Sequence, residues 1–130
     1  MIGASYPQTF NGHATRGLDG SSYLDTLTQA QAPAHRTRQH FELEGNRGMI
    51  MYPWKVVSLQ AMSKPIDLNN WLLFNLETDP TECDNLAATH TDKLQELIAL
   101  FEADAQANHV YPLDNRDPRR VLALSPYWVD

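Results

Sequence analysis

Between Phe41 and Leu76 the chain carries short apolar runs that do not alternate with polar residues. Aromatic and β-branched runs of this length, broken at Gly45-Asn46 and Tyr52-Pro53, read as strands. In "WLLFNL" the residues Trp71, Leu72, Leu73, Phe74 and Leu76 fall on both faces of such a strand, and "GMIMY" does the same. An antiparallel sheet with one wet face alternates cleanly, so this sheet is expected to be covered on both sides.

One cover is legible in "THTDKLQELIALFEADAQANH". Leu94, Leu97, Ile98, Phe101 and Ala105 lie at helical spacing and make a single apolar stripe. Thr89, with Asp92 three residues on, fits an N-terminal cap, and Asn108 suits a left-handed ending. The expected fold is therefore α+β: a small, mostly antiparallel sheet of about four strands with one long helix, near 91–108, packed on it.

The second cover is harder to supply. Residues 1–39 read as a loop-rich connector punctuated by Pro7, Asn11-Gly12, Gly17, Asp19-Gly20 and Pro33. Their one periodic piece is "SSYLDTLTQ", a short helix near 21–29 that Ser21 or Ser22 can cap. Residues 40–117 hold the sheet and helix. The 118–130 tail offers Val121, Leu122, Leu124, Tyr127 and Trp128, apolar but short. The expectation is a sheet face completed by another polypeptide surface.

At 130 residues, with 42% hydrophobic and 20% charged residues, the chain suits one globular core without a staple. A net charge of −6 argues against a nucleic-acid surface, which needs clustered Lys and Arg. The segment "HRTRQH" is a solvated linker, with an anion-binding lip as its sharper alternative. The single cysteine, Cys83, has no His or cation beside it in sequence to activate it. No run approaches the ~18 apolar residues of a membrane span, and no signal peptide is visible, so the chain is expected to be soluble and to look like an excised domain.

Catalytic signatures are missing from the sequence. His13, His35, His40, His90 and His109 show no metal-binding spacing, and there is no zinc motif, no phosphate-cradling glycine loop and no nucleophile elbow. Asp84-Asn85 and Asp114-Asn115 are each too few oxygens for Ca²⁺ and are read as caps or turns.

Three stretches, in order, nevertheless point to a family: "YPQTFNGHATRGLDGSSYLDTL", "RTRQHFELEGNRGMIMYPWKVV" and "WLLFNLETDPTECDNLAATHTDKLQELIALFEADAQANHVYPLDNR". Together they resemble the carboxy-terminal part of the arylsulfatase family over residues 3–117. The shared elements are an N-G turn, an F-E-x-x-G-N-R strand pair with a W-K strand, a W-x-L-[YF]-[ND]-L strand followed by D-P-x-E and N-L-A, and a helix leading to P-L-D-[DN]-R. Pro53 before Trp54 departs from the family's usual turn and places that turn at a hairpin end or edge.

The resemblance implies a parent that hydrolyses sulfate esters with a formylglycine and Ca²⁺, both held in an amino-terminal catalytic domain outside this chain. Ser63-Lys64-Pro65-Ile66-Asp67 has Asp where the formylglycine motif needs Arg, and Cys83 is followed by Asp84-Asn85 with no Pro, so neither transfers as the nucleophile. Asp114-Asn115 matches the P-L-D-[DN]-R segment and not the metal motif. No catalytic, cofactor or metal residue is therefore assigned to this chain. Arg47 and Lys55 are expected at the sheet margin, paired with acids such as Glu42 or Glu44, while His40 and Arg47 are the candidates for lining a parent's substrate cleft.

The reading is a structural subdomain of a sulfatase-like hydrolase, inactive alone and partnered by a catalytic domain. Its alternative is a stand-alone module that binds a partner or itself through the bare sheet face. A small hydrolase built on His40, Arg47 and Cys83 has no nucleophile, base and orienter grouping to support it.

Overall fold

The structure is a computed structural model that describes residues 5–18 and 20–117. The expectations placed on Asp19 and on the 118–130 tail lie outside the described residues. The chain divides into two compact units, residues 1–36 and 37–130.

In the first unit, strands β1 (Thr9–Phe10) and β2 (His13–Ala14) form a hairpin. Its turn residues Asn11 and Gly12 have φ of 49° and 79°, the left-handed pair that matches strand twist. The helical clip is one 3₁₀ turn, Leu24–Leu27, with the Leu24 N–H donating to Ser22 Oγ at 3.3 Å. It is shorter than the expected 21–29 for a physical reason. Leu24 and Leu27 stay exposed, and a short helix without packing on its apolar face does not propagate.

The second unit carries the α+β fold. Strands β3 (Gln39–Leu43), β4 (Asn46–Met51), β5 (Trp54–Ser58) and β6 (Trp71–Asn75) form one antiparallel sheet in the order β3-β4-β5-β6. Helix α1 (Thr91–Ala107) packs across it. The β3–β4 turn is Glu44-Gly45, with φ of 55° and 80°. A side chain at Gly45 would place its Cβ 3.0 Å from the Asn115 Cβ, so both conformation and space demand glycine there. Pro53 sits in the β4–β5 hairpin turn that Met51 and Trp54 close, as its missing donor requires.

Register sets the core. Met49, Val56 and Leu73 are cross-strand neighbours in the middle of the sheet. They are fully buried against Leu97, Phe101 and Ala105 of α1, with Leu94 and Ile98 half-buried at the flanks. Burial of a side chain such as Phe101 stabilises by roughly 2–3 kcal/mol. The Trp71 ring meets Phe101 edge-on at 5.5 Å. Among the described residues no helix is long and apolar enough to cross a membrane.

The helix ends differ from the expected caps. His90 precedes the first turn and makes no side-chain cap bond. Thr89 Oγ1 is taken instead by the Leu86 carbonyl and His90 Nδ1. At the far end Asn108 keeps φ −106° and His109 takes the left-handed φ of 56°. Asn108 still serves the helix end, because its Nδ2 donates to the Asp104 carbonyl at 2.8 Å.

Alternation puts Phe41, Leu43, Ile50, Val57, Leu72 and Phe74 on the face away from α1. Phe74 is buried, but Phe41 and Leu43 are 54% and 71% exposed. Among the described residues the expected covering of both faces thus stops short of the β3 side, because α1 lies on the other face.

Candidate functional site

Arg47 is the most unusual residue in the second unit. It was expected at the sheet margin beside an acid, yet it is 3% exposed. Strand alternation from Met49 turns its side chain toward the helix face. The guanidinium stacks over Trp71 with its carbon 4.4 Å from the ring centre. Its Nη2 donates to Ser58 Oγ at 2.8 Å and to the Asp67 carbonyl at 3.0 Å. Its buried Nε has no partner among the described residues. The acid opposite, Glu42, uses its carboxylate to accept the Gly45 N–H at 2.8 Å. Lys55 likewise pairs with Glu82, at 2.6 Å, and not with Glu42 or Glu44.

A polar network completes the arginine cage. The Ser58 hydroxyl donates to Asn70 Oδ1 at 2.5 Å and accepts from Gln60 Nε2 at 3.0 Å. Gln60 Nε2 also reaches the Asp67 carbonyl, and Gln60 Oε1 accepts the Asp67 N–H, both at 2.8 Å. The cage therefore consists of neutral acceptors and an aromatic face, an arrangement that holds a buried cation in place without a carboxylate. Tyr111 lies close enough to feel Arg47. Partial burial and the Glu102 carboxylate, which accepts its hydroxyl proton at 2.6 Å, push its pKa up to about 12, against a smaller opposing pull from Arg47.

His40 has a different environment. Its ring meets Phe101 edge-on at 6.4 Å, and Nδ1 lies 3.9 Å from Asp104 Oδ2. Arg38 holds that same carboxylate with two bonds, at 2.8 and 3.2 Å. Both His40 and Arg47 are directed at packed side chains of the helix face. Cys83 is exposed and contacts Thr81 Oγ1 at 3.4 Å.

The segments flagged by motif act as loop fasteners. Ser63 has φ 57°, its N–H donates to the Asn115 carbonyl at 2.8 Å, and its hydroxyl accepts the Asp117 N–H at 3.2 Å. Asn115 is buried and donates to the carbonyls of Ala61 and Lys64 at 2.9 and 2.7 Å. Asp114 is engaged by the Arg116 guanidinium at 2.7 and 2.9 Å. Asp84 and Asn85 shape the approach to α1: Asn85 Oδ1 accepts the N–H groups of Leu73 and Ala87, each at 3.1 Å. Among the described residues no three His, Cys, Asp or Glu side chains gather as a metal site.

A concavity lies on the sheet face away from α1. It has a volume of about 610 Å³ and is lined chiefly by Phe41, Leu43, Gly48, Ile50, Val57 and Leu59. Arg47 reaches its wall and His40 does not line it. Strand β3 contributes Phe41, Glu42 and Leu43 to its lining.

A four-stranded antiparallel sheet with one long helix on one face defines the class as a two-layer α+β domain. No family model matches the chain. It shares its fold with part of a solved 6S-sulfatase structure from Bacteroides thetaiotaomicron, which was described in connection with the metabolism of multiple glycosaminoglycans. The two are 21% identical, with a TM-score of 0.52 over 68% of this chain. The match takes in 20% of the sulfatase, so this chain spans about a fifth of that protein's length.

Proposed function

We propose that this chain is the carboxy-terminal structural subdomain of a sulfatase-like hydrolase, with sulfate-ester hydrolysis as the activity of the whole enzyme. On this reading formylglycine and Ca²⁺ belong to an amino-terminal catalytic domain, and this chain alone is inactive. The supporting observation is the pairing of fold likeness to one fifth of a sulfatase with an apolar hollow on the sheet face opposite the helix. A face bearing Phe41, Leu43 and Leu59 at more than half exposure is suited to contact with another protein surface.

The test compares Leu59→Asp and Leu59→Lys in two settings. In the isolated 130-residue chain changes at this exposed position, outside β3, should alter stability by no more than about 0.5 kcal/mol. In a chain that carries a sulfatase catalytic domain ahead of residue 1, the same changes should destabilise by about 2 kcal/mol or more, because a charge is then buried. Equal effects in the two settings, or sulfate-ester hydrolysis by the isolated chain, would overturn the reading.

A further inference from the structure

We infer that strand β3 is a self-complementary edge through which two copies of this chain pair, antiparallel and symmetric about Phe41. This goes beyond the proposed function and uses the strand's edge, not the open face.

Among the described residues β3 pairs with β4 alone, so its other side is a sheet edge. The two-residue turn makes Leu43 and Asn46 the closing hydrogen-bonded pair. Bonding then alternates along the strand. Gln39, Phe41 and Leu43 direct their main-chain groups to β4, and His40 and Glu42 direct theirs outward. Edges of this kind are ordinarily guarded by Lys, Pro or a bulge. Gln39–Leu43 has no Lys, Pro or bulge, its one charged side chain, Glu42, accepts the Gly45 N–H at 2.8 Å, and the Gln39 side chain covers part of the edge, with Nε2 2.6 Å from the His40 carbonyl.

A second copy related by a two-fold axis at Phe41 meets the pattern without adjustment. The outward groups of His40 face those of Glu42 in the second copy, and the reverse holds across the axis, giving four main-chain hydrogen bonds. An imidazole then stands opposite a carboxylate twice on one face. On the other face Phe41 meets Phe41, and Gln39 meets Leu43. A carboxylate that accepts from an imidazole N–H and an aromatic pair are both favoured cross-strand neighbours. The interface is isologous, so it closes at two copies. Phe41 and Leu43, 54% and 71% exposed in one copy, become partly covered. A main-chain donor takes the place of the Gln39 amide on the His40 carbonyl.

The experiment is a concentration series of the 130-residue chain by light scattering after size exclusion, on wild type, His40→Glu and Glu42→Lys, alone and mixed one to one. Wild type should be a dimer. His40→Glu sets two carboxylates opposite each other twice, and Glu42→Lys removes twice the carboxylate that accepts from the imidazole, so each variant should weaken association at least about tenfold. The mixture should restore the dimer, because the carboxylate introduced at position 40 of one variant then faces the ammonium introduced at position 42 of the other. In parallel, amide exchange of wild type should slow at His40 and Glu42 as concentration rises, a readout that does not depend on how the variants fold. A wild-type monomer, a dimer indifferent to both variants, or His40 and Glu42 amides that exchange at a rate independent of concentration would each overturn the proposal.

Discussion

The guanidinium of Arg47 lies over the Trp71 ring at 4.4 Å, inside a cage whose hydrogen-bond acceptors are a hydroxyl and a main-chain carbonyl. Both acceptors keep a second donor when the arginine is removed, since Gln60 Nε2 serves both Ser58 Oγ and the Asp67 carbonyl. Arg47→Met fills the space over Trp71 and leaves no charge to solvate, so it should cost about 1 kcal/mol or less. Arg47→Ala opens a cavity and should cost about 3 kcal/mol. Arg47→Lys loses the planar stack and the fork, and should fall nearer the alanine value. Urea denaturation of the three variants decides the order. An alanine variant as stable as the methionine variant would show that the stack over Trp71 contributes nothing.

Ser58 makes the complementary prediction. Its hydroxyl is fully buried, accepts from Arg47 and Gln60, and donates to Asn70. Ser58→Ala should destabilise by about 1–3 kcal/mol, because Asn70 Oδ1 and Arg47 Nη2 each lose a bond in a dry site. The double variant with Arg47→Met should be less destabilised than the sum by about 0.5 kcal/mol or more, as expected for residues in one network. Strict additivity in a denaturation cycle would contradict the cage.

These residues also mark where the sequence is readable and where it is not. The stripe from Leu94 to Ala105 is local, and a single 3.6-residue period suffices to place α1 and its buried face. Strands β3–β6 were legible from their apolar runs and breaks, whereas the exposed two-residue strands β1 and β2 carry no such run. Arg47 was not. Its acceptors come from Ser58 and from the main chain at Asp67, and a carbonyl carries no mark in the sequence. Strand β3 takes its facing from its turn. The left-handed Glu44-Gly45 turn fixes Leu43 against Asn46 and so turns His40 and Glu42 to the helix side. A one-residue register choice, set by the turn, decides which face is bare.

The bare face should be visible in solution. A dye that brightens on apolar surface should bind the 130-residue chain near Phe41, Leu43 and Leu59. Leu43→Lys with Leu59→Lys should reduce that binding several-fold, while leaving the unfolding midpoint nearly unchanged, since both side chains are exposed. Unchanged dye binding in the double variant would place the apolar patch elsewhere.

In the first unit, His35 Nε2 lies 2.6 Å from Asp25 Oδ1 at the 3₁₀ turn. That hydrogen bond holds the Asp25 carboxyl below its ordinary value of 3.8. A depressed carboxylate favours the folded arrangement above its unfolded pKa, and that contribution is lost as pH falls through the folded value. The turn should therefore loosen only below about pH 3.8, the ordinary carboxylate value. Carboxyl carbon shifts of Asp25 followed by NMR should titrate below that value in wild type and move up toward it in His35→Ala. An Asp25 midpoint that does not move on removing His35 would refute the pairing.

Tyr111 gives the opposite sign. Partial burial first, then the hydrogen bond to Glu102, raise its phenol from 10.0 to about 12. A raised acid binds its proton more tightly in the folded chain. The stabilisation is fully present below the unfolded value near 10 and is lost as pH rises through about 12. Glu102→Gln removes the negative charge that opposes ionisation and leaves the burial, so the midpoint should fall part of the way back toward 10. Absorbance of tyrosinate near ~295 nm, taken as a difference between wild type and Tyr111→Phe, isolates this group from the other tyrosines. A Tyr111 midpoint at the ordinary value in wild type would contradict both its partial burial and its hydrogen bond to Glu102.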